Sequence, residues 1–362
     1  MKIVIFGLTF SSSWGNGHAT LWRGLCSALG RQGHHVVFFE RNTPYYAMNR
    51  DLLELPGGEL VIYDDWGSVQ SRAQREVHEA DAAIVTSYDP DALAATDLIA
   101  SAGSTLGVFY DLDTPVTLSR LRRGDAVPYV GARGLADFDL VLSYTGGAAL
   151  DALRNDLGAC RVVPLYGHVD PTVHRPVEAA PQRQFALSYL GTYSADRQTA
   201  LDALFTGPAR QRPDLRFVIG GAQYPQDFPW SPNIFFVRHL PPTEHPAFYS
   251  RSRLTLNVTR QPMAELGWCP SGRLFEAAAC GVALLSDSWE GLEAFFTPGN
   301  EILVARDAAD VLAALELSDV ELHRIATAAR EHTLAAHTSE RRANELIAAL
   351  SAASQTRELE RV

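Results

Sequence analysis

At 362 residues, 46% hydrophobic and 20% charged, the chain is too long for one ordinary core and suits two α/β-sized domains. Its net charge of −11 argues against nucleic acid or an anionic membrane as partner, because no basic stripe offsets it. The densest basic cluster, Arg120, Arg122 and Arg123, reads as a solvated helix face. Four scattered cysteines (Cys26, Cys160, Cys269, Cys280) lack CxxC or Cys/His ligand spacing and are expected to be buried or inert thiols. The opening Met1–Gly7 run is too short for a leader and reads as a strand, and no apolar run approaches spanning length. A cytoplasmic protein without a transmembrane segment is the expectation.

In chain order, apolar runs predict strands at Ile3–Gly7, Val36–Phe39, Leu60–Tyr63, Ala82–Thr86, Thr105–Tyr110, Leu140–Ser143 and Arg161–Val163. Helical patterns fall between them at Ala19–Arg31, Asp91–Ala100 and Gly147–Asn155. A Pro-studded stretch from His168 to about Gln184 reads as a linker. The alternation then restarts with strands at Phe185–Gly191, Leu215–Ile219, Ile234–Val237, Leu254–Val258, Val282–Ser286 and Glu301–Val304, and a helix at Ala195–Phe205. From Asp307 the chain is helical nearly throughout, ending in a long polar-faced helix near Ser339–Arg357. The pattern predicts two doubly wound parallel-sheet domains facing a cleft: residues 1–170, residues 171–338, and a helical tail, 339–362, packing back across them. Ligands of such sheets lie beyond the carboxyl ends of the strands.

The most informative stretch is Ser271–Gly281, with sequence SGRLFEAAACG. It carries a Ser where a helix should be capped, a Gly just past its end, and a β-branched strand immediately after. Arg273 and Glu276 stand three apart and share a face. The amides of Ser271, Gly272 and Arg273, with the Arg273 guanidinium, suit a pyrophosphate, and Glu276 suits ribose hydroxyls. An i,i+3 ion pair on a packing helix is the plainer alternative. Gly191, Thr192, Tyr193 and Arg197 follow a strand and open a helix: glycine permits close approach, hydroxyls donate to phosphate, and arginine adds charge. A strand-to-helix turn capped by Ser194 explains them equally. Gly220 and Gly221 end another strand.

In the first half, Gly15, Asn16 and Gly17 allow close approach after strand one. His18 follows them as a candidate base for an acceptor hydroxyl, or as a simple packing residue at a helix start. Asp111 and Asp113 follow a buried strand. They suit a base or acceptor contact, a divalent cation, or a capped loop. Glu40 ends strand two on the same side, where a salt-bridged loop would also account for it.

These residues together resemble the GT-B-fold glycosyltransferases of the CgeB-like, group 1 type. The resemblance rests on Ser271–Glu276, Ala279-Cys280-Gly281, Asp287, the Phe295–Glu301 run, and Arg341-Arg342. Ser13–Ala19, Asp111–Pro115 and Ala136–Leu140 support it in the first half. Many retaining relatives carry a second glutamate with seven residues between the two; here that position is Trp268, and the nearest acid is Glu265. The resemblance implies a two-domain Rossmann-like transferase with the donor bound by the second domain and the acceptor by the first. Arg238 and His239 would lie where such enzymes hold the base through main-chain contacts. It implies a hexosyl or related transferase without a bound metal, with no cofactor beyond a nucleotide-diphosphate sugar, acting on an unidentified hydroxyl-bearing acceptor. A sugar-nucleotide 2-epimerase and a non-catalytic nucleotide-sugar binding protein are the alternatives.

Overall fold

Runs of apolar residues become strands here because both faces of each sheet are covered. The structure, a computed structural model, describes residues 1–15, 17–177 and 183–360. It divides into a first unit (Met1–Ser13, Gly17–Tyr166 and Ser339–Val362) and a second (Gly167–Thr338 with the short piece Trp14–Asn16). The first holds β1 (Lys2–Gly7), β2 (His35–Arg41), β3 (Gly58–Tyr63), β4 (Ala82–Thr86), β5 (Leu106–Asp111), β6 (Leu140–Ser143) and β7 (Val162–Pro164). They form one parallel sheet in the order β3-β2-β1-β4-β5-β6-β7. Ile3 pairs with Val36 on one side and Ala82 on the other, so β1 is central. Its side chains alternate: Ile3 and Ile5 enter one core, Val4 and Phe6 the other.

The crossovers are α1 (His18–Arg31), α2 (Pro44–Ala47), α3 (Trp66–His78), α4 (Ala92–Ala102), α5 (Thr114–Arg122) and α6 (Ala148–Leu157). The sequence reading lacks α3. Only Val69, Ala73 and Val77 of that helix are buried, a strip one residue wide in an otherwise polar segment. Its start is fixed by Asp65, whose carboxylate accepts from the Ser68 amide at 3.0 Å.

The second unit holds β8 (Phe185–Leu190), β9 (Phe217–Gly221), β10 (Ile234–Arg238), β11 (Ser252–Asn257), β12 (Ala283–Ser286) and β13 (Leu303–Val304), parallel in the order β10-β9-β8-β11-β12-β13. β13 is shorter than the run suggests because Glu301 is drawn into a turn, accepting from the Thr297 amide at 2.7 Å and from His332 at 2.9 Å. The helix expected over Ala195–Phe205 is broken into a 3₁₀ turn (Ala195–Arg197), α7 (Gln198–Leu201), a π turn (Asp202–Thr206) and α8 (Gly207–Gln211). Pro208 explains the break, since it has no amide to return to the preceding turn. The Asp202 carboxylate holds the wide turn, accepting from Gln198 and Thr206.

Next come α9 (His245–Ser250), α10 (Gln261–Leu266), α11 (Gly272–Ala279), α12 (Ala308–Leu315) and α13 (Asp319–Ala336). The last helix, α14 (Ser339–Glu360), belongs to the first unit. Its Ala343, Leu346, Leu350 and Ala353 pack with Trp22, Leu25 and Leu29 of α1. Cys26, Cys269 and Cys280 are buried and Cys160 is exposed, all four as free thiols. Among the described residues no helix is long and apolar enough to cross a membrane.

Candidate functional site

In the second sheet the strand order reverses between β8 and β11, and the polar side chains gather beyond the carboxyl ends of those two strands. Gly191 follows β8 directly. A Cβ placed there would lie 2.9 Å from both Arg273 Nη2 and the Tyr189 hydroxyl, so the missing side chain makes room for the guanidinium. Arg273 comes from the first turn of α11. Its Nη1 donates to Asn257 Oδ1, the last residue of β11, at 2.9 Å, and its Cζ lies 5.3 Å from the centre of the Tyr189 ring. The Tyr224 hydroxyl donates to the Gly191 carbonyl at 3.1 Å.

Arg197 folds back to donate from Nη1 to the Thr192 carbonyl at 3.0 Å, bracing its own loop. Its Nε is buried and has no hydrogen-bond partner among the described residues. Tyr193 is held by its amide, which donates to Ala222 O at 2.9 Å. Asp196 and Arg260 pair at 2.9 Å, tying the loops after β8 and β11 together. Asp287 is a brace as well, accepting from the Thr259 amide and hydroxyl at 2.9 Å.

Ser271 occupies the N-cap of α11 in extended conformation, without a side-chain cap bond, and Gly281 follows the helix at φ +74°. Both ends therefore lie where the sequence signals put them. Glu276 sits in the next turn after Arg273, and its neighbours come from elsewhere in the chain. His245, the first residue of α9, places Nδ1 3.3 Å from Glu276 Oε2. His174 places Nε2 3.9 Å from the same oxygen and 3.2 Å from His245 Nδ1. Burial alone would raise the Glu276 pKa, but His174, His245 and Arg273 outweigh it and hold the carboxyl at about 2. Burial pushes the His174 imidazole down to about 4.

Gly220 and Gly221 serve packing: a Cβ on Gly220 would strike Leu240 and Leu190, and the Gly220 carbonyl accepts from the Gly191 amide at 2.8 Å. Arg238 ends β10 exposed on an edge strand, and His239 follows at φ +56° with its amide donating to Gly221 O.

In the first sheet the reversal lies between β1 and β4. His18 opens α1, and its Nε2 lies 3.7 Å from Oδ2 of Asp113, the N-cap of α5; both side chains are mostly buried. Tyr88, strained at φ +67° after β4, stands beside His18 with ring centres 5.8 Å apart. Gly17 is the N-cap of α1 and Gly15 turns at φ +69°; Asn16 lies outside the described residues.

Two candidates take other roles. Asp111 is fully buried; its Oδ1 accepts from the Asp113 amide at 3.0 Å and from the Thr117 hydroxyl at 3.2 Å. It positions Asp113. Burial raises its pKa to about 6. Glu40 is likewise fully buried rather than lining an open surface. Its carboxylate accepts from the amides of Phe10 and Ser11 at 2.7 and 2.8 Å and from the Ser11 hydroxyl. The sequence reading missed His174, His245, Asn257, Tyr189 and Tyr88, none of which belongs to a local motif.

Residues 197–348 match the family described as glycosyl transferase-like. No curated protein matches the chain. Among solved structures, it is similar to sucrose-phosphate synthase from Thermosynechococcus elongatus, at TM-score 0.69 and 15% identity over 95% of this chain and 97% of that one. Anabaena HepE in complex with UDP and glucose gives TM-score 0.69 and 14% identity over 97% and 100%. Trehalose 6-phosphate synthase from Burkholderia multivorans gives 0.65 and 11% over 98% and 99%. The fold is thus GT-B: two parallel-sheet α/β units and a helical C-terminal segment.

Proposed function

We propose that the protein is a glycosyltransferase that moves a hexosyl or related group from a nucleotide-diphosphate sugar to a hydroxyl-bearing acceptor. The second unit binds the donor and the first supplies the acceptor's base. The observation that carries this reading is the gathering of Gly191, Arg273 and the N-terminus of α11 at the strand reversal between β8 and β11, with Glu276 one turn on. A diphosphate placed there meets helix amides and two guanidinium groups, Arg273 and Arg197. A ribose meets the Glu276 carboxylate. HepE, a structural neighbour, is seen with UDP and glucose, which supports a donor of this class.

In the transfer step, His18 takes the proton of the acceptor hydroxyl, with Asp113 orienting the imidazole and stabilising it once charged. The acceptor oxygen bonds to the anomeric carbon as the bond to the diphosphate breaks, and direct displacement inverts that carbon. The charge growing on the departing diphosphate falls on Arg273, Arg197 and the helix amides, so no metal is assigned to it.

Calorimetry with UDP, GDP, TDP, CDP and ADP tests the donor site. At least one should bind to the wild type and bind at least tenfold more weakly to Glu276→Ala. Unchanged affinity for every diphosphate removes the donor assignment.

A further inference from the structure

We propose that His174, His245 and Glu276 form a binding site for a late first-row divalent cation of the zinc type, within the second unit. The three residues come from separate elements: the segment after β7, the start of α9 and the middle of α11. Their facing atoms, His174 Nε2, His245 Nδ1 and Glu276 Oε2, stand 3.2, 3.3 and 3.9 Å apart. A point equidistant from all three lies about 2.0 Å from each, the bond length zinc makes to imidazole nitrogen and carboxylate oxygen.

Ring orientation points the same way. His245 Nε2 lies 3.3 Å from the Leu240 carbonyl, a partner that only an N–H satisfies. In the neutral ring Nδ1 is therefore a lone pair, and it faces the carboxylate oxygen and His174 Nε2. A backbone carbonyl on the remote nitrogen of a metal-binding histidine is the usual device for aiming the other nitrogen at the ion. A proton on His245 Nδ1 pairs that nitrogen with Glu276 alone, whereas a cation at the centre serves the carboxylate oxygen and both ring nitrogens together. Both imidazoles are buried, His174 to 1% exposure, so water does not substitute easily for that charge.

Two imidazoles and one carboxylate suit zinc, cobalt or nickel over magnesium or calcium. Such an ion occupies Glu276 Oε2 alone, leaving Oε1 for a sugar hydroxyl, and it ties α9 and α11 to the chain after β7. The site does not rest on the sugar-transfer reading.

The test uses the full chain, freed of metal by chelation and dialysed against Zn²⁺, with bound metal measured by elemental analysis and Co²⁺ loading followed by visible absorption. One ion per chain and the d–d bands of low-coordinate Co²⁺ are expected. His174→Ala and His245→Ala should each weaken binding about tenfold or more, and His332→Ala, at the separate Glu301 pair, should not. Folded wild type that takes up no stoichiometric Zn²⁺ and gives no Co²⁺ bands overturns the proposal, as do histidine variants that bind like wild type. Should those variants lose their circular dichroism, the isosteric Glu276→Gln decides by the same measure. Diphosphate binding is measured apart from metal, so failure of one assignment is distinguishable from failure of the other.

Discussion

Replacing Glu40 separates a brace from a contact with the acceptor. Its carboxylate accepts two backbone amides, from Phe10 and Ser11, at 2.7 and 2.8 Å, and no part of the residue is exposed. A hydrogen bond to a charged group contributes about 1.5–3 kcal/mol, and a buried donor left bare bears its full desolvation penalty. Glu40→Ala strands both amides, so a loss of roughly 3–6 kcal/mol follows by the same rule. For a unit of this size, each kcal/mol lowers the melting temperature by about 2–4 °C, which gives a drop on the order of 10 °C. Glu40→Gln keeps an oxygen for the two amides and offers its NH₂ to the Ser11 hydroxyl, so it should stay within about 1 kcal/mol of wild type. Scanning calorimetry on the three proteins reads both effects. The bracing argument fails if the Ala variant melts with the wild type, or if Gln costs as much as Ala. A Gln variant that melts normally but loses transfer activity restores Glu40 to the acceptor site.

Asp111 should leave a signature in pH. Its pKa is raised to about 6 by burial, so the native state holds its proton longer than the unfolded chain, and stability falls as pH rises from about 4 to about 6. Asp111→Asn removes that part of the slope in urea titrations, while the part due to Asp89, raised to about 7, persists; an unchanged slope refutes the assignment. Gly191→Ala should weaken diphosphate binding at least tenfold, because the new methyl presses on Arg273 Nη2 and on the hydroxyl of the buried Tyr189. Equal affinity by calorimetry would show that Arg273 is not confined there. Finally, Ellman's reagent should titrate Cys160 alone in the native protein and all four thiols after denaturation. A second fast native thiol contradicts the burial of Cys26, Cys269 and Cys280.

Parallel strands covered on both faces have no polar side to interrupt them, which is why β4 and β6 could be bounded to the residue from apolar runs alone. Helix α11 was legible for a different reason: the groups that start and stop it are its own neighbours in sequence. The same locality explains what was lost. Whether a carboxylate at a strand end reaches solvent depends on the loop folded over it. Glu40 and Asp111 therefore read as cleft residues until the Phe10, Ser11 and Asp113 amides were seen turned inward upon them. His174 lay hidden in a Pro-studded stretch read as a linker, and His245 behind a Pro at a short helix start. They stand 71 residues apart and meet at Glu276 only through the tertiary fold. A motif of amides and caps announces that an anion can be held at a helix end. The company kept by that helix's carboxylate is written in no single segment, and it decides whether Glu276 meets a ligand with a free carboxylate or with one oxygen already committed.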